Sequence, residues 1–147
     1  MHKIVIGYDG TDSAKRAAEE VAPLARSTGA EVHIVRVVGD DSPRTGMTAA
    51  YVNEDFDQAT AARKEALIEQ AAGSVDDLAR TFSGVTVHSA LLSGSPARML
   101  VEHAETVGAD LIVVGNRRVQ GISRLLGSVA IDVLRHAPCS VYVARTT

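Results

Sequence analysis

Five short apolar runs alternate with four segments whose apolar residues return every three or four positions, and this alternation restricts the chain to one class of fold. The runs are KIVIGYD (3–9), EVHIVRVV (31–38), VTVHSALL (85–92), the centre of ADLIVVG (110–114) and CSVYVAR (139–145). KIVIG and LIVV are apolar at consecutive positions rather than at every second one. That is the pattern of strands buried on both faces in a parallel sheet. Strands alternating with helices take right-handed crossovers, so the order βαβαβαβαβ predicts a doubly wound α/β domain with helices on both faces. Ligands of such open sheets bind outside the carboxyl ends of the strands, where the strand order switches. The places to look are therefore Asp9, Val37, Ser93–Ser95 and Gly115 onward.

The helical segments carry their own punctuation. Between Thr11 and Thr28, residues Ala14, Ala17, Ala18, Val21, Ala22 and Ala25 fall on one helical face, and Gly29 is the stop signal. Pro23 is expected to bend this helix without ending it. The segment GDDSPRTGMT is a loop, long for a strand-to-helix connection. Ala59, Ala62, Ala66, Ala71, Val75, Leu78 and Phe82 set a second helix over 55–82, with Gly84 behind it. In SGSPARMLVEHAETVG, Ser95 stands as N-cap, Pro96 at the first helical position and Gly108 just past the end, which predicts a helix over 96–107. LGSVAIDVLRHA gives a last helix from about 127.

Composition excludes several classes. At 147 residues the chain is expected to be one domain over 1–147, and 46% hydrophobic with 22% charged residues it can bury a core unaided. The single cysteine, Cys139, rules out an intrachain disulfide framework and a cysteine-clustered zinc site. Its thiol is expected to be packed and inert. A net charge of −3 and only 3% aromatics leave neither a basic footprint nor a stacking platform for nucleic acid. The opening MHKIVIGYDG meets an aspartate too soon for a signal or membrane segment, so a cytoplasmic location with no membrane partner is the expectation.

The densest chemistry lies in VVGNRRVQGISRLLGSV (113–129), where a strand, a glycine and a polar loop lead to Gly127-Ser128 opening a helix. Glycines let backbone amides approach a phosphate, and a helix N-terminus adds unpaired N–H groups and about half a positive charge. Arg117, Arg118 and Arg124 add positive charge to the same loop. The competing explanation is that Gly115 merely ends a strand and Gly127-Ser128 merely caps a helix, which leaves the three arginines unexplained. No Gly-Lys-Ser/Thr follows the glycines, and the G-x-G-x-x-G fingerprint is absent.

Over essentially its whole length, in KIVIGYDGTDSA, SGSPARML, VVGNRR and LLGSVAIDVLRHAPCSVYVAR, the chain resembles the universal stress protein family. The resemblance implies a five-stranded sheet of order 3-2-1-4-5, of the adenine nucleotide alpha hydrolase-like kind. It also implies an adenine-nucleotide site. In the ATP-binding branch a Gly-x-x-Gly, nine residues, Gly-Ser/Thr pattern wraps the triphosphate, and Gly115, Gly127 and Ser128 match three of its positions. Arg118 stands at the second glycine, and eight residues (119–126) separate it from Gly127, one fewer than the pattern. An arginine there either obstructs a phosphate or grips it. By the same resemblance Asp9 would contact the ribose, Gly7 and Tyr8 would flank the adenine, and Val37 would read its edge through the backbone. Gly115, Arg117, Arg118 and the amides of Gly127, Ser128 and Val129 would meet the phosphates. A carboxylate suits ribose hydroxyls because it accepts two hydrogen bonds, although an aspartate at that position is also a favoured helix cap.

ATP, with Mg as a possible companion, is thus the first expected ligand and cyclic AMP a second. The family also implies a homodimer through the last strand, Cys139 to Arg145. An alternative is a nucleotide-independent dimeric interaction module. A phospho-receiver is discarded, because strand three ends Leu91-Leu92-Ser93 with no aspartate. Ser93 and Ser95 lie in SGSPA rather than in a nucleophile elbow, so any ATP hydrolysis is expected to be very slow. The histidines His2, His33, His88, His103 and His136 show no metal spacing, and packing or surface roles are expected for each.

Overall fold

A computed structural model describes residues 1–38, 54–116 and 126–145, with backbone alone over 54–60. Strand β1 is Lys3–Gly7, helix α1 Asp12–Thr28, β2 Glu31–Val38 and α2 Glu54–Ala79, which ends in a 3-10 turn at Arg80–Phe82. Then come β3 Val87–Ser93, α3 Pro96–Val107, β4 Leu111–Gly115, α4 Ser128–His136 and β5 Ser140–Ala144. The five strands form one parallel sheet of order β3-β2-β1-β4-β5.

Consecutive apolar residues in the central strands feed two cores. Ile4, Ile6, Val32, Ile34, Leu111 and Val113 face α1 and the end of α2, where Val75, Leu78 and Phe82 complete the layer. Their neighbours Val5, Val35, Ile112 and Val114 face α3 and α4, meeting Ala97, Leu100, Ala104, Ala130 and Val133. Each fully buried isoleucine or valine contributes about 1.5–3 kcal/mol of transfer free energy. The alternation therefore fixes which side of the sheet each strand residue serves.

Helix α1 buries only small residues, Ala14, Ala17, Ala18, Val21, Ala22 and Ala25, which lets its axis lie close to the sheet. It continues through Pro23, and the left-handed Gly29 ends it. The end of α1 is tied to the turn behind α2 by Arg26, whose guanidinium donates to the carbonyls of Thr81 at 2.6 Å and Ser83 at 3.3 Å. The edge strands β3 and β5 are only partly covered, with Leu91 and Tyr142 exposed.

Some boundaries differ from the sequence expectations. The first strand stops at Gly7, so Tyr8 and Asp9 belong to the following loop. Helix α1 is capped by Thr11, whose Oγ1 accepts from the Ala14 amide at 3.2 Å, and not by Asp9. Ser95 occupies the N-cap position of α3 as expected, but its side chain makes no capping bond. The loop after β2, and the loop residues Arg117, Arg118, Gly121 and Arg124, lie outside the described residues.

Candidate functional site

The strand order reverses between β1 and β4, since the chain leaves β1 toward β2 and later returns on its other side to β4. At the carboxyl ends of these strands lies a cleft of about 390 Å³. That volume falls in the range of small-ligand pockets. Gly7 at the end of β1 and Tyr8 and Asp9 just beyond it border the cleft, with Val35 and Val37 on β2, Leu100 on α3, Gly115 at the end of β4, and Gly127, Ser128 and Val129 at the start of α4. Eight of the ten residues singled out from the sequence thus line one cavity. The other two, Arg117 and Arg118, lie outside the described residues.

Asp9 is exposed and held in place by local bonds. Its Oδ1 accepts from the Thr11 amide at 3.0 Å and from the Thr11 hydroxyl at 2.5 Å. Gly10 between them has φ +83°, a left-handed conformation that favours glycine and turns the chain from the strand into α1. Thr11 therefore orients the Asp9 carboxylate while capping the helix, a role the sequence alone did not disclose.

Tyr8 donates its amide to the Val35 carbonyl at 2.9 Å, which extends the β1–β2 pairing by one bond toward the cleft. Its ring packs against the α1/α2 core, with the Arg36 guanidinium 6.0 Å from the ring centre. Burial raises the phenol above its ordinary range, and the nearby Arg36 cation partly offsets the rise. Arg36 is itself anchored on the Ser74 hydroxyl of α2.

On the opposite wall, Gly115 is explained by packing. A Cβ there would lie 2.9 Å from Ser13 Oγ and 3.0 Å from the Ser13 carbonyl, so only glycine lets the first turn of α1 cross the end of β4. Gly127 differs, because its φ of −62° and ψ of 156° are open to any residue. Asn116, which the sequence reading passed over, joins the two ends of the intervening loop: its Oδ1 accepts from the Gly127 amide at 3.0 Å. The first-turn amides of Ser128 and Val129 follow, and such amides have no acceptor within their own helix. No acidic residue stands in the first turn of α4, while Arg135 and His136 stand in its last.

The profile described as the Universal stress protein family matches residues 1–145. The chain belongs to the universal stress protein family. A universal stress protein of Methanocaldococcus jannaschii is 38% identical over 144 residues, covering 97% of this chain and 81% of that one. A solved universal stress protein in complex with cAMP is 28% identical with a TM-score of 0.68, covering 99% of this chain and 98% of that one. A solved hypothetical protein, described as a structure-based assignment of biochemical function, reaches a TM-score of 0.80 at 21% identity, covering 99% and 96%. That likeness concerns the fold. Among the described residues no helix is long and apolar enough to cross a membrane.

Proposed function

We propose that this universal stress protein binds an adenine nucleotide, ATP foremost, in the cleft at the carboxyl ends of β1, β2 and β4, and that the bound nucleotide regulates its conformation or its partners. The observation that carries this reading is the convergence of segments 7–9, 37, 115 and 127–129 on one cavity, from parts of the chain far apart in sequence. The base would lie against Val37 and the Tyr8 backbone, the ribose against the Asp9 carboxylate, and the phosphates against the first-turn amides of α4. Arg117 and Arg118 would supply charge to the phosphates, with Mg as a further counter-charge. The similar protein solved with cAMP supports an adenine ligand and makes cAMP the natural competitor.

The experiment is calorimetric titration of ligand-free protein with ATP, cAMP and GTP, alongside mass spectrometry of any small molecule released on denaturation. ATP should bind more tightly than GTP, because backbone groups beside Val37 would read the adenine edge. Equal affinity for ATP and GTP would overturn the adenine assignment.

The second reading, a nucleotide-independent dimeric interaction module, is favoured by two observations. Arg118 replaces a glycine of the phosphate pattern. The Gly127 amide is already engaged by Asn116. Absence of binding by any of the three nucleotides, with a dimer retained, would establish this reading instead. In both readings we take the homodimer to form through β5, an edge strand of the sheet.

A further inference from the structure

We propose that Glu31, His33 and His88 form a binding site for a divalent transition-metal ion of the zinc class, at the amino-terminal end of the sheet and opposite the nucleotide cleft. The sequence shows no metal spacing among its histidines because the site is assembled by strand register. Glu31 and His33 stand two apart on β2 and so share a face. The β2–β3 register sets His88 beside His33, and their rings stack with centroids 4.7 Å apart.

Both imidazoles turn an Nε2 toward the same carboxylate. His33 Nε2 lies 3.9 Å from Glu31 Oε2, and His88 Nε2 lies 4.0 Å from Glu31 Oε1. One ligand atom from each of the three residues lies within 4.8 Å of the others. Bonds of about 2.0–2.1 Å in tetrahedral geometry would set ligand atoms about 3.3 Å apart, so closing on an ion takes small side-chain rotations.

The cluster is built as a site more than as a stack. His33 Nε2 is buried and has no hydrogen-bond partner, a costly state for an imidazole that has no other use. From α3, the His103 ring approaches that of His33 at 5.6 Å, and its Nε2 is likewise buried and unpartnered. Burial lowers the pKa of both His33 and His103, and the neighbouring His88, His103 and Lys3 add to the effect on His33.

Glu31 supplies the negative charge, and the Lys3 ammonium is held on the Val107 carbonyl at 3.0 Å. The Glu31 and His88 side chains are 42% and 51% exposed, against 12% for His33, so the site opens to solvent on one side. Two imidazoles and one carboxylate are the donor set of zinc and its neighbours, with a fourth position left to water.

The test is titration of metal-stripped, tag-free protein with Co²⁺, read as a visible absorption band, followed by displacement with Zn²⁺. One equivalent should bind. His88→Ala and Glu31→Gln, both at exposed side chains, should each weaken binding more than about tenfold, since loss of even an outer-shell partner costs that much. His2→Ala should leave it unchanged. Without any substitution, Zn²⁺ should shift the imidazole NMR signals of His33 and His88 and leave those of His136 unmoved. Failure to bind either ion, or a band that persists in His88→Ala, would overturn the proposal.

Discussion

Two glycines of the candidate site carry different physical meanings. Gly115 is demanded by the fold, because any side chain would meet the Ser13 backbone. Gly127 has backbone angles that any residue can adopt, so its conformation does not demand a glycine, and a close approach to its backbone is the role left to test. Gly127→Val should therefore leave the circular-dichroism spectrum nearly unchanged and abolish ATP binding. Losing two charge-assisted bonds at roughly 1.5–3 kcal/mol each weakens affinity at least about a hundredfold. Calorimetry showing unchanged affinity would remove the phosphates from this end of α4. The histidines make a second prediction at this scale. His33 and His103 have folded-state pKa values below their ordinary 6.5, so the unfolded chain takes up protons at higher pH than the folded one. Their contribution to stability is present above about pH 6.5 and is lost as pH falls through the lower folded-state values. His33 faces Glu31, His88, His103 and Lys3, and Glu31 partly opposes this loss. In metal-free buffer the urea midpoint should fall between pH 7.5 and 5.5, and His103→Leu should reduce that fall. Asp110 is no confounder in this window, because amide bonds from His2 and Lys3 hold its carboxyl below the ordinary carboxylate value.

At the scale of elements, the strand and helix order was legible because each apolar run and each capping residue acts locally. Pro96 at the start of α3 and the left-handed Gly108 at its end need no tertiary information. What the sequence concealed depends on contacts between elements. Asp9 reads as a strand end or a helix cap, yet it is a loop residue whose carboxylate is held by Thr11. The pairing of His33 with His88 requires the β2–β3 register, and the bond from Gly127 to Asn116 spans a loop. Asn116 also makes a prediction about α4. Its side chain ties the end of β4 to the start of α4, fixing where the helix amides point. A neutral hydrogen bond contributes about 1 kcal/mol net, so Asn116→Ala should weaken ATP binding roughly fivefold in a fluorescence titration. A gain in affinity would mean instead that Asn116 competes with the ligand for the Gly127 amide.

At the scale of the whole molecule, the open question is what covers the ends of the sheet. An order of β3-β2-β1-β4-β5 leaves β3 and β5 as edges, each with unpaired backbone groups that can template another strand. The two edges are not equivalent. Strand β3 carries the polar residues His88, Ser89 and Ser93, whereas β5 reads SVYVA, with β-branched Val141 and Val143 half-buried on the α3/α4 side and Tyr142 exposed on the other. A two-fold dimer pairing β5 with its own copy, antiparallel, would satisfy those groups and join two sheets into one. Cys139, just before β5, is a half-buried free thiol, and burial raises it above the ordinary range. Val143→Pro removes a ladder donor from this edge, and the substituted protein should sediment as a monomer with its helical signal retained. A dimer that persists in sedimentation would put the interface on another surface, the β3 edge first. A monomer that still binds ATP as tightly as the parent would show that the cleft is complete within one chain, and one that has lost the affinity would show that the cleft depends on the partner copy.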